Sequence, residues 1–290
     1  MGPSIRPARP ADRAAIAAFT ADTFEWGDYV SEVLLDWLDE PAGHVLVATD
    51  EEDRPVALGR GLLLSRHEVW LQGMRVREEW RRRRLGSAIS EGLIAWAQER
   101  GARVARLGVE HWNEAAQRQV ESIGFRCVGR WVVARQAIQP EPSPETPSNG
   151  GKRAKARRRL EQAPSSEAEP AWVSWRSGPL VAPARGMYVS HWKWATLDFQ
   201  ELRDAGRSGN LWSSQAGWAL VGLEEDQLTV GWLECGPDDA TDMIRSLLDL
   251  AVAAEADRLQ ITVPAITWIE QALAGTGFEL MTMLIYERPL

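Results

Sequence analysis

The sequence predicts an α+β protein of two similar domains, each a mixed, mostly antiparallel sheet flanked by helices. Three observations carry this. Strand-like and helix-like segments alternate over the first 135 residues. A stretch rich in Pro, Ser, Glu and Gly then interrupts the pattern between residues 136 and 170. Part of the first pattern recurs 154 residues later.

The elements follow in order from local signals. Ile5–Ala8 alternates as a short strand, and Asp12 precedes an Ala-rich helical stretch reaching Thr23, with Asp12 expected as its N-cap. Residues 30–38 are amphipathic with helical spacing. Residues 45–49, 56–64 and 69–76 are β-rich and separated by polar turns, an antiparallel meander. Leu85, Ile89, Leu93 and Trp96 mark one apolar helix face, and Gly101 stops that helix. A strand at 103–109, a helix at 113–123 and a strand at 126–134 complete the first half, with Cys127 expected in the core.

The second half repeats the end of the first. Residues 85–109 lie over residues 239–263 without a gap, and Gly124-Phe125 meets Gly277-Phe278 after a single-residue gap. An Arg follows ten residues past each Phe, at Arg135 and Arg288. Several echoes in order argue for a duplication. The expected domains are therefore 1–135 and 171–290, joined by a flexible linker at 136–170.

Charge separates the halves. The 290-residue chain has a net charge of −8, of which residues 1–135 contribute −1 (19 Arg, 20 acids) and residues 171–290 contribute −8 (8 basic, 16 acidic). The linker supplies +1, so an anionic ligand is tolerated by the first half and repelled by the last. Two cysteines, Cys127 and Cys235, are too few for a disulfide framework. No secretory h-region or membrane-length apolar run is visible, so the expected location is the cytoplasm.

One stretch carries chemistry. A strand ends near Val76, a basic turn Arg81-Arg82-Arg83-Arg84 follows, and a helix opens at Leu85-Gly86-Ser87. A helix N-terminus offers unpaired N–H groups and partial positive charge to a pyrophosphate, and arginines add charge-assisted hydrogen bonds. The alternative is a solvated loop whose arginines pair with Glu78, Glu79 and Glu91. Arg81–Gly86, together with Asn113-Glu114-Ala115-Ala116 and Gly124-Phe125, resembles the GNAT acyltransferase superfamily, over residues 5–135 and only faintly over 171–290. Two positions depart from the family pattern. Arg84 stands at its first loop Gly, and Val120 at a Tyr that protonates the departing thiolate.

The resemblance implies an N-acetyltransferase using acetyl-CoA as cosubstrate, with direct attack by a small-molecule or peptide amine. It implies that backbone at Met74 and Val76 holds the pantetheine arm and that Arg81, Arg82, Arg83, Arg84, Leu85, Gly86 and Ser87 hold the pyrophosphate. An N–H near Met74 or Arg75 would hold the oxyanion. Glu110 and Glu25 are candidate bases, each also readable as a surface carboxylate. Asn113 either orients CoA or caps its helix. At the 154-residue offset, Cys235-Gly236-Pro237-Asp238-Asp239-Ala240 replaces the arginine turn, so the second domain is expected not to bind CoA there. A catalytically idle GNAT-like binding or regulatory module is the rival reading.

Other signals point elsewhere. The cationic run 152–159 lacks interleaved aromatics and is flanked by acids, so a tether is preferred to a nucleic-acid site. His44, His67, His111 and His191 have no metal-binding spacing, and no metal is expected. The aromatic patch at 188–194 reads as packing, or as a wall that receives an amine.

Overall fold

The computed structural model describes residues 4–21, 27–138 and 159–290. In chain order the elements are β1 (Ser4–Pro7), α1 (Arg13–Thr20), α2 (Val30–Asp39), β2 (Gly43–Thr49), β3 (Pro55–Leu63), β4 (Glu68–Val76), α3 (Leu85–Gln98), β5 (Val104–Glu110), α4 (Glu114–Ser122) and β6 (Arg126–Ala137). There follow β7 (Glu161–Gln162), α5 (Ala168–Ser177), α6 (Val181–Ala184), β8 (Met187–Ser190), β9 (Lys193–Thr196), α7 (Phe199–Ser208), β10 (Leu211–Ser214), β11 (Gly217–Glu224), β12 (Gln227–Cys235), α8 (Ala240–Ala253), β13 (Arg258–Pro264), α9 (Thr267–Ala274) and β14 (Glu279–Pro289).

The chain forms two compact units. One comprises Met1–Val128 with Ile285–Leu290, the other Gly129–Leu284. The chain thus crosses between units within β6 and returns within β14, so the boundaries expected at 135 and 171 are corrected. A local sequence echo locates a strand but does not decide which sheet it joins. The expected linker is corrected only at its two ends. Residues 126–137 form β6, and Leu160, Ala163 and Ala168 are buried in the second unit. The run at 152–158 lies outside the described residues.

In the first unit the strand order is β1-β2-β3-β4-β5, followed by the end of β14. Pairing is antiparallel from β1 to β4 and parallel between β4 and β5. The apolar face predicted for the helix at 85–100 is real: Leu85, Ile89, Leu93 and Trp96 of α3 are all buried. A second layer packs Ile16, Val30, Leu34 and Trp37 of α1 and α2 against Val45, Val47 and Leu58. Asp12 does not cap α1 with its side chain. Its carboxylate instead accepts from both Nη atoms of Arg6, at 2.8 and 2.9 Å.

The chain's last residues are fixed into this unit by polar contacts. Buried Arg106 on β5 reaches Glu68 at 2.6 Å and Glu287 at 2.8 Å. Arg288 donates to the Ile123 carbonyl at 2.7 Å and pairs with Glu91, also at 2.7 Å. Tyr286, whose phenol is pushed up to about 12 by burial and by its bond to Glu121, lies against α4. Cys127, expected in the core, is exposed, whereas Cys235 is buried.

The second unit has the order β6-β13-β12-β11-β10-β7, with a separate β8–β9 hairpin. Its β12–β13 pairing is parallel and the remaining pairs are antiparallel. Trp175 and Trp232 pack edge to face at 5.6 Å, as do Trp131 and Trp194 at 5.9 Å. β12 also carries a buried acid, Glu234. Ser174 Oγ donates to its Oε1 at 3.0 Å, and Oε2 has no partner among the described residues.

Burial pushes the Glu234 carboxyl above the ordinary carboxylate range, and the Ser174 hydrogen bond only partly opposes this. The folded state then holds a proton that the unfolded chain releases, so stability falls as pH climbs from the ordinary glutamate pKa through the raised one. Glu234→Gln should remove that loss. Thermal melts across pH should show the variant gaining on the parent above the ordinary range and matching it below.

Candidate functional site

The site in the first unit begins where two strands part. β4 and β5 pair only at Glu68↔Val104, Val69↔Ala105 and Trp70↔Arg106, yet β4 continues to Val76 and β5 to Glu110. On its other edge β4 stays with β3, but the register shifts between Leu58 and Arg60, so Gly59 faces both Gly73 and Met74. This is a β-bulge, which bends the strand that carries it. Gly73 has φ +68, and a Cβ there would lie 2.5 Å from the Trp37 ring. Only glycine meets both demands.

Beyond the bulge the chain makes a short 3-10 turn, Glu78–Trp80, and then the arginine turn. Arg82 and Arg84 are left-handed, with φ 62 and 61. Arg84 therefore adopts the conformation for which glycine is favoured, and it forms the N-cap of α3 without a side-chain bond. Ala88 N–H reaches the Arg84 carbonyl at 3.0 Å, while the N–H groups of Leu85, Gly86 and Ser87 have no acceptor among the described residues.

All four arginines, Arg81 to Arg84, are exposed, and none forms an ion pair among the described residues. Glu79 is engaged by Arg77 at 3.2 Å and Glu91 by Arg288, so the ion pairs of the loop alternative do not form with these two acids, although the turn itself is solvent-exposed. Arg83 stacks on Trp80 at 4.5 Å. The carbonyls of Met74 and Val76 accept from Arg75 Nη1 at 3.0 Å and Arg81 Nε at 3.3 Å, leaving each oxygen one further lone pair. Met74 Sδ lies 3.5 Å from the Cβ position of Gly86, as does Gln119 Nε2, so bulge, helix start and α4 converge.

The opposite face of β4 carries different chemistry. Arg75 Nε donates to Asp28 at 2.5 Å, and that carboxylate is fully buried. Tyr29 lies under the Arg75 guanidinium at 5.8 Å and meets Trp37 edge to face at 6.0 Å. Burial pushes the Tyr29 phenol up, opposed by Arg75 and reinforced by Asp28 and Glu110. Glu110, half-buried at the end of β5, has no side-chain partner among the described residues.

Asn113 takes the capping role: its Oδ1 accepts from Ala116 N–H at 3.1 Å. Val120 is buried, and Glu25 lies outside the described residues. Sequence reasoning missed Gly73, Trp37, Asp28 and Tyr29. A glycine inside a strand pattern signals a bulge and could have located the first. Nothing local links Asp28 to Arg75, 47 residues away.

The second unit repeats this plan with altered chemistry. Its β12–β13 pairing ends at Val230↔Ile261, and β12 bulges beside that point, where Leu220↔Trp232 gives way to Val221↔Val230. Its turn is only Gly236–Asp239, because Cys235 is the buried last residue of β12 and not part of the loop. Among the described residues no group of three or more His, Cys, Asp or Glu could hold a metal ion, and no helix is long and apolar enough to cross a membrane.

Two substitutions test these backbone assignments by denaturant melts. Gly73→Ala should destabilise by about 3 kcal/mol, combining left-handed strain with overpacking against Trp37. Arg84→Gly should stabilise by roughly 0.5 kcal/mol, since relief of strain exceeds the entropic cost of glycine.

Residues 13–125 match the Acetyltransferase (GNAT) family. Over 99% of this chain the fold is similar to a GCN5-related N-acetyltransferase from Sphaerobacter thermophilus, covering 95% of that chain at 15% identity and TM-score 0.65. It is also similar to an acetyltransferase candidate from Thermoplasma acidophilum, covering 99% of this chain and 100% of that one at 20% identity and TM-score 0.62. A GCN5-related N-acetyltransferase from Kribbella flavida covers all of this chain and 71% of its own at 11% identity and TM-score 0.52. No protein of curated function matches. The cationic turn, the bulged fourth strand and the Gly-Phe corner all fall within the matched stretch or at its edge, and the domain that carries them belongs to the GNAT family.

Proposed function

We propose that the protein is an acyl-CoA-dependent N-acyltransferase that moves an acetyl group from acetyl-CoA to an amine in its first unit. The observation that carries this is the parting of β4 from β5 after Trp70↔Arg106, with four unpaired arginines and an uncapped helix start at its end. Unpaired strand edges bind extended amides as an added strand would, which suits a pantetheine arm at Met74 and Val76. The N–H groups of Leu85, Gly86 and Ser87 suit a pyrophosphate, and Arg81–Arg84 supply the counter-charge.

Attack by the amine on the thioester carbonyl creates an oxyanion. The bulge at Gly73–Met74 turns backbone towards the opening, and an N–H at Met74 or Arg75 is the donor we assign. The amine must lose a proton. Glu110 suits this role because it ends β5, the strand that parts from β4, and its carboxylate has no competing partner among the described residues. Arg75 cannot take this role, because a guanidinium has no lone pair to accept a proton; it is instead held by Asp28. The acceptor is a small-molecule or peptide amine, admitted on the face lined by Tyr29.

A second reading, an idle binding module, is favoured by one observation. Val120 is buried in α4, so that helix position offers no acid to the departing thiolate. Thiolates leave readily near neutral pH, which makes the acid helpful but dispensable.

Acetyl-CoA should raise the melting temperature of the full chain, and Gly86→Glu should abolish the rise by placing a carboxylate against the phosphates. Glu110→Gln should leave that rise intact while lowering kcat by about 10²-fold in an assay of free thiol. An intact rise with no thiol release from any amine in a broad panel would establish the idle module instead.

A further inference from the structure

We propose that the second unit carries a binding site of its own for a small hydroxylated ammonium compound. The site is a cleft of about 350 Å³ between the β8–β9 hairpin, α7 and the face of β13. It lies wholly within residues 188–262 and owes nothing to the acyl-transfer reading of the first unit.

The floor points to a ligand. Gln260 and Thr262 stand two residues apart on β13 and therefore share one face of the sheet. Both line the cleft, and they are only 7% and 2% exposed. Gln260 Oε1 accepts from Arg135 Nε at 3.0 Å. Gln260 Nε2 and Thr262 Oγ1 have no hydrogen-bond partner among the described residues. An amide donor and a hydroxyl that open onto a cleft can bond an oxygen-bearing guest in place of solvent.

The rim offers that guest a charged partner. Three carboxylates face the cleft from α7 and β11: Glu201, Asp204 and Glu224. Arg207 holds Asp204 at 2.7 Å, and His191 Nε2 lies 3.1 Å from Glu224. The Glu201 carboxylate has no partner among the described residues. Two cations stand nearby and keep their charge, Arg135 stacked on Trp192 at 5.2 Å and Lys193 bonded to the His191 carbonyl at 3.0 Å. Glu201 is therefore the one of these three carboxylates without an ion-pair partner among the described residues. An ammonium group would pair with Glu201, while hydroxyl or carbonyl oxygens on the same molecule meet Gln260 and Thr262. The volume sits at the small end of ligand pockets.

Serinol (2-amino-1,3-propanediol) and glycerol share a skeleton and differ by an ammonium in place of a hydroxyl. Each is titrated, in amine-free phosphate buffer at matched ionic strength, into the full chain labelled with 5-fluorotryptophan. The Trp192 resonance, and that of Trp112 in the first unit, are assigned from their Trp→Phe variants. Serinol should move the Trp192 resonance saturably, at least about tenfold more tightly than glycerol, and leave that of Trp112 in place. Glu201→Gln, at an exposed position, and Thr262→Val, nearly isosteric, should each weaken serinol binding about tenfold. Equal binding of glycerol, an unmoved Trp192 resonance, or parent-like binding by both variants would overturn the proposal.

Discussion

The end of one strand pairing governs the first unit. A parallel pair must satisfy the backbone polar groups of both strands, and wherever it stops those groups await another partner. Here it stops at Trp70↔Arg106. Arg106 is buried and pinned between Glu68 and Glu287, which fixes β5 at the last paired position. On the β4 side, the bulge at Gly73–Met74 turns the strand away, and Trp37 packs where a side chain on residue 73 would stand. The opening is therefore built from rigid parts: an ion-paired anchor, a glycine with no substitute and an indole wedge.

Electrostatics then gives the opening a polarity. The chain is acidic overall, yet the turn at the end of β4 gathers four exposed arginines, while Arg77 and Arg288 occupy the neighbouring glutamates. Two of these arginines hold a left-handed backbone at a cost of about 1–2 kcal/mol each. Strain kept at a cationic turn in front of an uncapped helix is the kind of feature that clusters at functional sites. On the opposite face Arg75 is neutralised by buried Asp28, so the two sides of β4 differ in charge although both carry arginine.

The second unit shows how one architecture holds different chemistry. It retains the parallel pair that ends early and the bulge beside it. Its turn is four residues long against eight for residues 77–84, and it carries Pro237, Asp238 and Asp239 in place of arginines. The aromatic stretch at 188–194 divides into two roles. Trp194 is buried against Trp131, while Trp192 is 41% exposed beside the polar cleft. Fold is inherited across the repeat; the sites are set by individual side chains.

The sequence by itself determined most elements of the first half, the repeat and the cationic turn, because each rests on local periodicity or local charge. The face of α3 is readable from Leu85, Ile89, Leu93 and Trp96. The Gly-Phe corners are readable as well, since Gly124 and Gly277 both adopt the left-handed conformation that ends their helices. Only the tertiary structure decided which sheet β6 and the end of β14 join, and that Asp28 reaches Arg75. Those outcomes depend on partners up to 181 residues apart, such as Arg106 and Glu287, and pairing at that distance leaves no periodic trace in the chain.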